Sequence, residues 1–112
     1  MALYPRASFN RKMIEEISLS CPGVYILWFN KICIYVGKTN RPIRKRLREH
    51  WSNCHNDDLK NWIRAQGRRL EFQWECIPDI SRIQATEQAY IEYYGPLTNK
   101  INAEATIWDQ FQ

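Results

Sequence analysis

The sequence predicts an α/β fold, a small three-stranded, mostly antiparallel sheet flanked by helices in the order α-β-β-α-α-β-α. Three observations predict it. Two runs rich in β-branched and aromatic residues, 24–29 and 32–37, stand two residues apart, which is hairpin spacing. Elsewhere apolar residues recur every three or four positions, the period of an amphipathic helix. Five prolines and four glycines fall between these segments as punctuation. At 112 residues the chain fits one domain, 1–112, with its pattern-bearing core at about 20–102 and a weakly patterned tail at 103–112.

The elements follow in order. Residues 8–19 read as a helix, with Ser8 as N-cap and Met13, Ile14 and Ile17 as its apolar stripe. Cys21-Pro22-Gly23 ends it. The hairpin comes next, turning at Asn30-Lys31. Residues 42–52 form a second helix, with Pro42 suited to its first position and Ile43, Leu47 and Trp51 on one face. Asn56 or Asp57 caps a third helix through Gln66, where Leu59, Trp62 and Ile63 keep the period and Gly67 is a stop. In 70–77, Leu70, Phe72, Trp74 and Cys76 alternate with Glu71, Gln73 and Glu75, a half-exposed strand. Ser81 opens the last helix, which runs through Tyr94 to Gly95-Pro96.

Composition excludes several classes. No apolar run approaches the roughly 20 residues that span a bilayer, and the first residues lack a signal-peptide h-region. The expectation is a cytoplasmic chain with no membrane partner. The net charge is only +4, but it is unevenly placed. Residues 1–69 carry +9 and residues 70–112 carry −5, while 38–50 alone hold six bases and one acid. Such a stretch is either a polyanion-binding surface or a solvated helix face. The four cysteines form no CxxC pair and are read as reduced, mostly buried thiols. His50 and Cys54 share a helix face and could touch one metal, but no second ligand pair accompanies them.

Two side chains stand out for chemistry. Glu87 sits in the row Ile83, Tyr90, Ile91, Tyr94 on the last helix, and a carboxylate on such a stripe is ion-paired or metal-bound. Arg46 and His50, four apart, border the apolar stripe of the basic helix and point toward the sheet. Arg44, Lys45 and Arg48 lie more outward, as sequence-blind phosphate contacts.

Gly23-Val24-Tyr25, then Tyr35-Val36-Gly37 and Lys38, resembles the two-part signature of the GIY-YIG endonucleases. Arg46 and His50 fall where that family has a helix arginine and a following Tyr or His. Glu87 falls at its metal-binding glutamate, and Pro96-Leu97-Thr98-Asn99 resembles the segment ending in asparagine that closes its module. Val24 and Val36 replace isoleucine, Thr98 replaces a frequent aromatic, and the Gly37-to-Arg46 loop is one residue longer than in the excision-repair members.

The resemblance implies a GIY-YIG-like, stand-alone nuclease domain that hydrolyses DNA phosphodiester bonds with one Mg²⁺ (or Mn²⁺). The alternative is a catalytically silent DNA-binding module of the same fold. By this resemblance the catalytic set is Tyr25, Tyr35, Lys38, Arg46, His50, Glu87 and Asn99, with Glu87 on the metal and Lys45 as a substitute for Arg46. Tyr25, Tyr35 and His50 are rival general bases, and Asn99 supports packing around Glu87. Arg41, Arg44, Lys45 and Arg48 would contact DNA phosphates. Family members often carry a separate targeting domain, so a homodimer or a separate targeting partner stays open.

Overall fold

A computed structural model of the chain describes residues 3–17 and 20–99; the tail expected at 103–112 lies outside the described residues. The elements are β1 (Ala7–Ser8), α1 (Arg11–Ile17), β2 (Gly23–Phe29), β3 (Ile32–Thr39), α2 (Ile43–Asn53), α3 (Asp57–Gln66), β4 (Leu70–Cys76) and α4 (Ile83–Tyr94). One antiparallel sheet runs in the order β1-β4-β2-β3.

The sheet therefore has four strands, not the three expected. The extra strand is the N-terminal segment, which lies along the outer edge of β4. Ala7 pairs with Phe72 and Ser8 with Glu71, and the flanking Tyr4 and Phe9 N–H groups donate to the Trp74 and Leu70 carbonyls at 2.9 and 2.8 Å. Two residues show no alternation, so periodicity cannot reveal such a strand. Ser8 is consequently in β1, and the cap of α1 is Asn10, whose Oδ1 accepts from the Met13 N–H at 2.8 Å.

β2 is a central strand and is buried on both faces, which explains its unbroken apolar run. The faces carry separate cores. Phe9, Ile14, Tyr25, Leu27, Ile43, Leu47, Leu59 and Phe72 pack beneath α1, α2 and α3. Val24, Ile26, Trp28, Val36, Ile77 and Ile83 pack beneath α4. β4 departs from simple alternation, because Glu75 is buried rather than half-exposed and accepts from the Tyr90 hydroxyl at 2.5 Å.

Helix ends also differ by a few residues. Pro42 is the N-cap of α2, and the Ile43 N–H is satisfied by the Cys21 carbonyl at 2.8 Å. Asn56 caps α3 by accepting from the Leu59 N–H at 3.1 Å. Gly67 is right-handed and leads into a 3₁₀ turn, Gly67–Arg69, rather than stopping the chain. A second 3₁₀ turn, Ile80–Arg82, precedes α4; Asp79 caps it through the Ser81 N–H.

The expectation of four reduced thiols is overturned. Cys21 and Cys76 form a disulfide, with Cα atoms 5.7 Å apart. Antiparallel pairing sets Gly23 opposite Cys76, which brings the residue just upstream of β2 to the end of β4. Closing a loop between residues 55 apart is worth about 4 kcal/mol in the chain-entropy view. Cys33 and Cys54 remain free and buried. Among the described residues no helix is long and apolar enough to cross a membrane.

Candidate active site

The site begins with pairing between β2 and β3. Tyr25 stands opposite Gly37, so the phenol of Tyr25 folds over a position with no side chain. A Cβ at Gly37 would lie 2.4 Å from the Tyr25 Cζ and hydroxyl oxygen and 2.6 Å from Tyr35 Cε2. The glycine is therefore required by the two tyrosines. Gly23 is required by the backbone: its φ is +156°, and a Cβ there would lie 2.0 Å from the Glu75 carbonyl oxygen.

α2 lies across this face and brings His50 and Arg46 to the tyrosines. The Tyr25 hydroxyl and His50 Nε2 are 2.6 Å apart. The His50 ring centroid is 5.5 Å from that of Tyr25 and 5.3 Å from that of Tyr35. Arg46 is half-buried, its charge acts on the Tyr25 hydroxyl, and Glu49 Oε1 holds it at 3.1 Å. Lys45 is exposed, so Arg46 and not its neighbour lies against the tyrosine.

Burial governs the protonation states. Desolvation, and then the neighbouring Tyr35, push the Tyr25 hydroxyl well above the usual phenol range, against the pull of Arg46. Desolvation and the positive charge of Arg46 lower the His50 imidazole to about 3. His50 is thus a neutral acceptor or donor at physiological pH. It is also only 3% exposed, which closes it to direct contact with bulk water.

Lys38 and Glu87 form a second group on the other face, where α4 packs. Lys38 Nζ is 3.9 Å from Glu87 Oε1. The ion pair allowed for Glu87 is therefore with a lysine, and it is loose. Burial raises the carboxyl's pKa, and Lys38 only partly offsets it. The two groups flank the same backbone step, Gly37–Lys38 of β3.

Asn99 acts on the backbone of β3. Its Oδ1 accepts from the Val36 N–H and its Nδ2 donates to the Val36 carbonyl, both at 2.8 Å and both buried. Thr98 adds its own N–H and hydroxyl to the Ile34 carbonyl, at 3.0 and 2.8 Å. Residues 97–99 thereby cover the outer edge of β3, the last strand of the sheet. Removing both amide bonds would leave a buried donor and acceptor, at about 2 kcal/mol or more.

The basic helix is less open than its charge suggests. Arg41 is bound by both Glu49 oxygens at 2.7 and 3.0 Å. Arg48 is bound by both Glu15 oxygens at 2.6 and 2.7 Å. Arg44 is half-buried rather than outward. Sequence reasoning missed a second basic surface. Arg64, Arg68 and Arg69 line a cleft of about 590 Å³ with Trp51 and Ile63, where α3 passes into β4. Among the described residues these three arginines and Lys45 have no ion-pair partner. Their signal was the run Arg64 to Arg69, which reads as ordinary helix surface until α2 closes the cleft.

His50 and Cys54 do meet, with Nδ1 and Sγ 3.3 Å apart. Among the described residues no three His, Cys, Asp or Glu side chains gather as a metal cage. Glu87 nevertheless fits a hydrated divalent ion, because it is a partly desolvated carboxylate whose cation partner stands beyond hydrogen-bond distance. Mg²⁺ keeps several waters and needs few protein ligands.

The fold is thus a sheet-and-helix module that carries paired tyrosines, a helix arginine and a half-buried carboxylate. The family profile of the GIY-YIG catalytic domain matches residues 21–102, and the chain belongs to this family. Among solved structures it is similar to the GIY-YIG N-terminal endonuclease domain of UvrC from Thermotoga maritima. The magnesium-bound form is 26% identical with a TM-score of 0.60, over 77% of this chain and 90% of that one. A point mutant of that domain, bound to its catalytic divalent cation, is 27% identical with a TM-score of 0.59, over 77% and 89%. No curated protein sequence matches the chain.

Proposed function

We propose that the chain is a divalent-metal-dependent endonuclease that hydrolyses DNA phosphodiester bonds. The observation that carries this reading is the placement of Tyr25, His50 and Arg46 on one side of the Gly37–Lys38 step and a half-buried Glu87 on the other. Magnesium is the ion bound by the related UvrC domain. Here Glu87 would hold it, and it would supply Lewis-acid polarisation of the phosphate and of the leaving oxygen.

The chain's own residues do the rest. Arg46 donates to non-bridging phosphate oxygens, where negative charge grows in the transition state. Tyr35, the least buried of Tyr25, Tyr35 and His50, faces the attacking water, while His50 holds the fully buried Tyr25 phenol beneath it. Tyr35 packs edge-on against the same imidazole, beside Tyr25. Lys38 adds positive charge beside the phosphate and Glu87. Asn99 keeps β3 straight, so it is a positioning residue.

DNA reaches this site along uncommitted bases. Phosphate binding at Arg41 or Arg48 must displace a carboxylate from an exposed pair worth about 0.2–1 kcal/mol. Lys45, Arg64, Arg68 and Arg69 carry no such competitor. The test is incubation of the protein with supercoiled plasmid in Mg²⁺, beside Glu87→Gln. Nicked or linear product from wild type, with none from the variant, is expected. DNA binding by the wild type with no product over hours would replace this reading by that of a silent binding module.

A further inference from the structure

We infer that Cys54 is a positioning residue: it fixes the tautomer of His50, so that the buried Tyr25 hydroxyl gives its proton to the imidazole and the phenol is locked in place. This rests on the nuclease reading for its catalytic consequence, but not for its structural content.

Three contacts set the direction. Cys54 Sγ lies 3.6 Å from the Asn56 carbonyl oxygen and 3.3 Å from His50 Nδ1. A carbonyl can only accept, and the thiol has one proton, so that proton goes to Asn56. Turning it to His50 would set sulfur and carbonyl lone pairs against each other. The sulfur lone pair then faces Nδ1, which must carry the hydrogen. Nε2 is therefore bare, and 2.6 Å away it accepts the Tyr25 hydroxyl.

The donors therefore run in one direction, Tyr25, His50, Cys54, Asn56, and the row ends on a carbonyl that can only accept. The imidazole is buried and stays neutral, so it has one tautomer to choose and no titration to blur it.

Tyr25 is 0% and His50 3% exposed, so this row exchanges no proton with the attacking water; it acts by holding the Tyr25 phenol against the imidazole, with Tyr35 packed on both rings.

The tautomer is read directly from the imidazole ¹⁵N shifts of the full chain. The chain has two histidines, and a His55→Gln sample assigns them. The wild type is expected to show a protonated Nδ1 and a bare Nε2 for His50. Cys54→Ser keeps an acceptor and a donor, and should keep that pattern and near-normal cleavage. Cys54→Val removes both, and should populate the Nε2–H form and lower kcat about 10-fold at unchanged KM. A wild-type Nε2–H tautomer overturns the inference, as does a Cys54→Val protein that folds with tautomer and kcat unchanged. If Cys54→Val does not fold, the wild-type and Cys54→Ser spectra decide. Because the spectra need no catalysis, failure of the nuclease assay leaves them informative.

Discussion

The Lys38 ammonium stands 3.9 Å from Glu87 Oε1, beyond hydrogen-bond reach, across the end of a sheet whose other face carries Tyr25 and His50. Glu87 is half-buried there with its pKa raised, so its ionised form is held at a cost to folding. A carboxyl whose folded pKa lies above its unfolded value contributes stability at low pH that is lost as pH rises. At pH 7 the metal-free protein should therefore gain stability on Glu87→Gln, although cleavage is abolished. Mg²⁺ should reverse the order. At ten times its Kd the ion adds about 1.4 kcal/mol to the wild type and nothing to the variant. Thermal melts with and without Mg²⁺ check both halves.

Gly37→Ala separates the two halves of the site. The added Cβ overlaps the Tyr25 phenol at 2.4 Å, so the ring must leave His50 or the strands must part. Overpacking of this kind costs about 1–3 kcal/mol. The variant should lose cleavage by displacement of Tyr25 yet keep the Mg²⁺-dependent rise in melting temperature, since Glu87 lies on the opposite face. Loss of both would mean that the two faces are not independent.

Most of the site could be read from spacing because its parts sit on regular elements. Arg46 and His50 are one helical turn apart, and Glu87 interrupts an apolar helical stripe, so a linear pattern locates them. What spacing could not supply was anything set by contact between distant segments. The fourth strand is two residues held by the edge of β4. The Cys21–Cys76 disulfide needs the pairing of Gly23 with Cys76. The bidentate Arg48–Glu15 pair, which gives one of the proposed phosphate contacts a competitor, requires knowledge of where α1 packs, and the Arg41–Glu49 pair requires the path of the chain into α2. The His50–Cys54 pair was visible as a spacing, but its hydrogen bond and the Tyr25 contact at the other ring nitrogen were not.

His50 gives the folded state a specific acid sensitivity. Its pKa falls from about 6.5 when unfolded to about 3 in the structure, chiefly by burial. A depressed folded pKa means stability that is complete above the unfolded value and declines as pH falls toward the folded one. Between these limits the unfolded chain binds up to one more proton, worth up to about 1.4 kcal/mol per pH unit. Denaturant melts should thus show stability dropping from about pH 6.5 downward, with a slope smaller by about one proton in His50→Gln. An unchanged slope would mean that the imidazole is solvated. By the same reasoning the cleavage rate should show no His50 titration near pH 6.5, which is where a solvent-facing histidine base would impose one.

The cleft formed by Arg64, Arg68, Arg69 and Trp51 bears on how the substrate lies. Each phosphate neutralised by the protein contributes about 0.9 to the slope of log K against log salt. Arg68 and Arg69 are exposed and have no ion-pair partner among the described residues, so their replacement disturbs no packing. Arg68→Gln with Arg69→Gln should lower the salt slope of DNA binding by about 1–2 and weaken affinity, leaving kcat at saturating DNA unchanged. Arg48→Gln should change the slope little, because Glu15 already neutralises that guanidinium. If the two experiments come out the other way round, the phosphates follow the outer face of α2, and DNA must open the Arg48–Glu15 pair each time it binds.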